Sequence, residues 1–374
     1  METVSSRPAD RARRQRAGTA RRRPRQRLKF TRRFYVLMGI LAALILVIII
    51  ASAVSSGGGS GELPAAIRSA IALKEAELRN MKVNELGAIM VLEYHVIGEE
   101  GRWSRTPENF RADLEYLYNE GYRCISVEDL ATNNIDVAAG YTPVVLTFDD
   151  ADPSQFRYLE RDGKLEIDPR CAVGVMEQFK AEHPDFNITA TFYVQPVLFG
   201  QEEYTEKKLR FLVDNGYDIG NHTVNHVSLG TVDDATVVKE ITGNIKLVQK
   251  YLPDYQEKSI ALPNGSEPKN PDTLREGSLD GIRYHLLASL LVGANPAPAP
   301  CDHAFDPMRL PRVQALDPSL DNGNAGIYAW LQYFKENPER RYVSDGDPGM
   351  VTVPKHMTER VDMDKLGDKK LRTY

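Results

Sequence analysis

Two histidines stand four positions apart in Asn221-His222-Thr223-Val224-Asn225-His226, after a short apolar stretch, and well upstream two adjacent aspartates close the run Thr147-Phe148-Asp149-Asp150. Two imidazoles and a carboxylate can hold a divalent metal and leave one coordination position open, as a catalytic metal needs for water or substrate. On this reading Asp150, His222 and His226 are the ligands, and Asp149 stands beside the metal, free to take a proton. Such a donor set suits zinc, with cobalt, nickel or manganese as alternatives that depend on availability.

Taken singly, each half has a plainer reading. A strand that ends in Asp-Asp often supplies a helix N-cap and a solvated neighbour, and paired histidines are often surface or hydrogen-bonded residues. Both halves occur here, each after a strand-like run, and together they point to a site. It is not the His-Glu-x-x-His metalloprotease pattern, because Thr223 follows the first histidine where a glutamate would be required.

With Ala190-Thr191-Phe192-Tyr193-Val194 added, the stretch 88–270 resembles the polysaccharide deacetylases, carbohydrate esterases with a nodulation-B homology domain. The resemblance implies a distorted, incomplete (β/α) barrel, Asp149 as catalytic base, and Asp150, His222 and His226 as metal ligands. It also implies an oxyanion-facing backbone N–H in an Arg-x-Pro-x-Gly-like loop, matched here by Ala261-Leu262-Pro263-Asn264-Gly265, which makes Asn264 the candidate. The chain departs from the family twice. Ala261 replaces the arginine that orients the base; Arg309 or Arg312 is the candidate substitute, with Arg309 placed first. The family's Leu-x-His general acid is missing, so His95, His303 and His356 are the candidates, and His95 is preferred because it follows the first strand.

These residues need a scaffold. Hydrophobic periodicity predicts strands over 88–94, 142–148 and 190–194, and helices over 106–118, 173–179, 206–215 and 233–251. Strands alternating with helices imply a parallel sheet, with chemistry at the C-terminal ends of the strands, where both motifs fall. A closing helix is expected over 325–334, and an irregular tail over 341–374.

The whole-chain charge of −5 is unevenly spread: residues 1–33 carry 13 Lys or Arg against Glu2 and Asp10, a net +11 that leaves −16 for the rest. Residues 34–54 then contain no charge, and about 20 apolar residues suffice to cross a bilayer core. By the positive-inside rule the arginines stay in the cytoplasm and the remainder is exported. A single transmembrane anchor is the favoured reading, and a cleaved signal peptide ending near Ala51-Ser52-Ala53 is the alternative. The anchor makes the lipid bilayer a partner and argues against nucleic acid as the partner of the basic arm. The expected organisation is a cytoplasmic tail (1–33), a span (34–54), a Gly/Ser linker and stalk helix (55–86), a catalytic domain (87–340) and the tail (341–374). Cys124, Cys171 and Cys301 fit no metal spacing, and no disulfide is assigned.

The expected function is metal-dependent removal of N-acetyl or O-acetyl groups from a cell-surface or cell-wall polysaccharide by a single-pass membrane protein whose catalytic domain is extracellular. The alternative is a module of the same fold that keeps the metal and binds an N-acetylated glycan with impaired turnover.

Overall fold

The computed structural model describes residues 74–374 apart from Asn322 and Asn324. The basic arm, the apolar run 34–54 and the Gly/Ser linker lie outside the described residues. Among the described residues no helix is long and apolar enough to cross a membrane.

Eight strands form the main sheet: Met90–Tyr94 (β1), Tyr122–Cys124 (β2), Thr142–Phe148 (β3), Thr191–Val194 (β4), Asp218–Asn221 (β5), Ser259–Ala261 (β6), Ala288–Leu290 (β7) and Val313–Gln314 (β8). Their order is β7-β6-β5-β4-β3-β1-β8, and every pairing is parallel. β2 pairs in parallel with the first half of β3, and β4 with its second half. A parallel bridge between Leu290 and Leu310 ties the β7 edge to the segment leading into β8. The sheet thus curls toward itself with helices outside, an α/β half-barrel: the strand–helix alternation predicts its parallel sheet, and the family resemblance implies its incomplete closure.

Alternation along the strands sorts the residues onto two faces. Met90, Leu92 and Tyr94 of β1 and Val144, Leu146 and Phe148 of β3 pack outward against the helices Pro107–Asn119 (α1), Ala172–Glu182 (α2) and Thr205–Asp214 (α3). Val91 and Val145 face inward with Tyr193, Ala261 and Leu290. The same parity turns Glu93, His95, Thr147 and Asp149 to the inner face. Tyr94, Phe148 and Phe192 are register partners on neighbouring strands, with ring centroids 5.2 and 4.9 Å apart. This outward aromatic row fixes the register one residue before Asp149.

The helices start where capping chemistry predicts: Thr106 accepts from the Asn109 N–H ahead of α1, and Asp233 from the Thr236 N–H ahead of Asp234–Gln249 (α4). The closing helix is Ile327–Glu336 (α5).

Residues 341–374 correct the expectation of an irregular tail. Met350–Val353 pairs in parallel with Lys370–Thr373, and Val351, Val353, Met357, Val361 and Leu366 bury against Leu86 and Cys301. Their apolar residues are too sparse to show a period, yet they cluster with Leu86 and Cys301 from distant parts of the chain. The described residues through Tyr374 fall in one compact unit, so this segment belongs with the barrel. All three cysteines are free and buried.

Candidate active site

The paired histidines sit on a loop that leaves β5 and is held from beneath. Asn221 accepts from the Thr223 N–H at 2.9 Å and donates to the Ile241 carbonyl at 3.0 Å. Glu240 of α4 accepts from the Asn225 N–H and side-chain amide at 2.9 and 2.8 Å. Asn244, also on α4, donates to the carbonyls of Val194 and Thr223. Thr223 and His226 take φ values of 58 and 53°, and on the facing loop Asp150 and Ala151 take 74 and 48°. Left-handed backbone at non-glycine residues is unfavourable by roughly 1–3 kcal/mol each and persists where the surroundings enforce it. Gly220 is required for close approach, since a Cβ there would lie 2.4 Å from the Tyr193 ring.

These turns bring the Nε2 atoms of His222 and His226 to 3.4 and 3.6 Å from Asp150 Oδ1. Ligands about 2.1 Å from a tetrahedral ion stand about 3.4 Å from one another, so the donors are spaced for a zinc-sized cation. The Nδ1–H of His222 donates to the Ala261 carbonyl at 2.8 Å, which leaves the Nε2 lone pair facing Asp150. Burial opposes a charge on His222, but Asp149 and Asp150 outweigh it and raise its pKa; burial and then His222 lower that of His226. Burial likewise opposes the Asp150 carboxylate, and His222 more than compensates. The site favours positive charge between its rings, and the residues present fit a divalent cation.

Asp149 is gripped from the other side. Arg312 Nη1 and Nη2 donate to Oδ1 and Oδ2 at 2.8 and 2.7 Å, and Nη2 also donates to Glu93 Oε1 at 2.8 Å. Burial alone would raise the Asp149 carboxyl, but Arg312, and then His222, hold it below the usual carboxylate range. Burial pushes the Glu93 carboxyl up to about 7 against the pull of Arg312. Glu93, His95 and Asp149 form a second cluster of ligand-type groups; the Arg312 guanidinium already supplies the cation there.

His95 faces the same cleft, its ring 4.9 Å from that of Trp103, and burial lowers its pKa while Asp149 and Asp150 oppose the shift. Asn264 adopts φ 58° in the Pro263–Gly265 turn, its side chain donates to Ser228 Oγ, and among the described residues its backbone N–H has no acceptor. The cleft, about 460 Å³, adds an apolar wall from Val96, Leu262 and Val292, with Trp103 at its rim. Another cavity, about 310 Å³ beside Ala88, Pro296 and Trp330, contains none of these groups.

The structure therefore brings together Asp149, Asp150, His222, His226, His95 and Asn264. The choice of Arg309 is corrected: its guanidinium lies on the surface in a two-point pair with Glu267, and Arg312 is the arginine on Asp149. His303 and His356 are exposed outside the cleft. Sequence reasoning missed Glu93, Trp103 and Gln195, which donates to Asp150 Oδ1 at 3.0 Å. A lone acid within the fully buried Met90–Tyr94 was the available signal for Glu93.

Residues 137–285 match the family model described as polysaccharide deacetylase. No curated protein matches the chain. Similar solved structures include a polysaccharide deacetylase from Bacillus cereus, BC0361, at 18% identity over 61% of this chain and 64% of that one, TM-score 0.46. The chain thus spans under two thirds of that protein's length. Others are the Streptococcus pyogenes deacetylase PplD in complex with acetate (20% identity, 66% and 97% coverage, TM-score 0.44) and IcaB from Ammonifex degensii (17%, 66% and 97%, 0.45). Residues 137–285, the part of the chain that matches the polysaccharide deacetylase model, supply both aspartates, both histidines and the Asn264 turn.

Proposed function

We propose that this chain is a metal-dependent hydrolase that removes acetyl groups from an N-acetylated polysaccharide at the cell surface. The observation that carries the reading is a carboxylate base, Asp149, clamped beside a converging Asp150, His222 and His226 set with metal-ligand spacing. A divalent ion held by those three, zinc or alternatively cobalt, nickel or manganese, would supply Lewis acidity to an acetyl carbonyl and acidify a neighbouring water.

The chain's own residues do the rest. Asp149 takes the proton as the water oxygen bonds to the acyl carbon. The N–H of Asn264 faces the oxygen on which negative charge develops. His95, across the cleft, gives a proton to the sugar nitrogen as the C–N bond breaks, so acetate and a free amine leave. Val96, Leu262 and Val292 form a wall suited to a methyl group, and the exposed Trp103 ring offers a face on which a sugar can stack.

The alternative of a binding module with impaired turnover drew on the missing family arginine and acid; Arg312, buried on Asp149, and His95 in the cleft speak against it. The charge-free run 34–54 behind an arginine-rich arm supports an anchored, extracellular placement. The test is acetate release from N-acetylglucosamine oligomers before and after chelation and metal return. Chelation is expected to abolish release and zinc or cobalt to restore it; release indifferent to chelator would sink the metal-dependent reading.

A further inference from the structure

An arginine side chain has five N–H groups, and in Arg312 each has an acceptor. Nε donates to the Leu291 carbonyl at 2.7 Å, and Nη1 to Thr147 Oγ1 at 3.2 Å and Asp149 Oδ1 at 2.8 Å. Nη2 donates to Asp149 Oδ2 at 2.7 Å and Glu93 Oε1 at 2.8 Å. The side chains of Arg312 and Glu93 are both 0% exposed. Glu93 Oε2 meets no donor at hydrogen-bonding geometry among the described residues. For stability this is a poor use of a buried strand position. A second carboxylate on an arginine already paired adds desolvation and like-charge repulsion, and an apolar residue of similar volume is commonly neutral or stabilising in such a place.

We propose that Glu93 is a positioning residue for the hydrolysis, fixing the Arg312 fork and through it both oxygens of Asp149. The inference rests on the deacetylase reading above. A carboxylate and a guanidinium joined by two parallel bonds can rock together as one plate, so the pair alone does not fix its own orientation. Glu93 at Nη2 and the Leu291 carbonyl at Nε pin the guanidinium at two separate points, and Asp149 inherits that plane. β1 then orients the base through Glu93 and presents His95 two residues later, so one rigid strand sets the relation between the groups that take and give the proton.

The test uses the full-length, zinc-loaded protein with Glu93→Leu, which keeps the volume, and Glu93→Gln, which keeps the acceptor for Nη2. Glu93→Leu is expected to lower kcat about 100-fold, the scale of a misplaced reacting group. KM for N-acetylglucosamine oligomers and the bound zinc should stay as in wild type, and Glu93→Gln should recover most of kcat. A crystal structure of Glu93→Leu is expected to show the Asp149 carboxylate turned from its present plane with Asp150, His222 and His226 in place. If Glu93→Leu does not fold, Glu93→Asp, which withdraws the acceptor by one methylene, is expected to show the same loss. An active wild type with Glu93→Leu equally active overturns the positioning role. So does an unmoved Asp149 in the variant structure, or equal losses of kcat, zinc and Tm in both variants. A wild type that releases no acetate instead removes the reaction reading, and the role in hydrolysis with it.

Discussion

Asp149 and Asp150 differ by one peptide bond and meet opposite surroundings. Asp149 continues the inward parity of β3 and finds a guanidinium, whereas Asp150 turns at φ 74° toward two imidazoles. On the proposed reading the two carboxylates are thereby divided between taking a proton and offering a ligand atom. Arg312→Lys keeps the charge but loses the fork, so kcat is expected to fall by roughly 10- to 100-fold. Arg309→Ala, which removes only an exposed pair, should leave both stability and kcat near wild type. Steady-state kinetics and thermal melts on the two variants make the comparison, and a loss confined to Arg309→Ala would reverse the assignment. The paired aspartates and histidines were legible in the sequence because their spacing is local. Which of two arginines three positions apart reaches Asp149 was not, since it depends on where the bridge to Leu290 leaves the chain before β8.

Strand and helix positions were legible where a period or a cap marked them, as in α1 behind Thr106 and α4 behind Asp233. The parallel pair at 350–353 and 370–373 had neither mark, and its burial depends on partners far away in sequence. One of these is Glu85, whose carboxylate accepts from the Thr352 N–H at 2.6 Å and the Asp345 N–H at 3.2 Å. Burial raises the Glu85 pKa from 4.5 to about 7, against the lowering by the Thr352 N–H, Lys369, the Ser344 hydroxyl and Arg372. Between those values the folded protein holds a proton that the unfolded chain has released. The contribution of Glu85 to stability is therefore greatest below pH 4.5 and falls as pH rises through about 7. Glu85→Gln is expected to flatten that part of the curve, measured as Tm from pH 4.5 to 8. An unchanged slope would mean that Glu85 ionises as freely when folded as when unfolded.

The half-barrel gathers its site from both ends of the domain. β1 brings Glu93 and His95, the strands from β3 to β6 lead to the motifs of the matched family, and the chain returns through Leu310 to bring Arg312. Fold class followed from the alternation of elements. The near-closure did not, because a single bridge between residues 290 and 310 leaves no periodic trace. The central claim is that Asp149 acts as a base beside a metal that Asp150, His222 and His226 hold without its help. Asp149→Asn separates these roles, since it removes the base and keeps all three ligands. Acetate release from N-acetylglucosamine oligomers and bound zinc should be measured on the same folded preparation. Release is expected to fall by at least about 100-fold while zinc remains bound; turnover undiminished in the zinc-loaded variant would contradict the account.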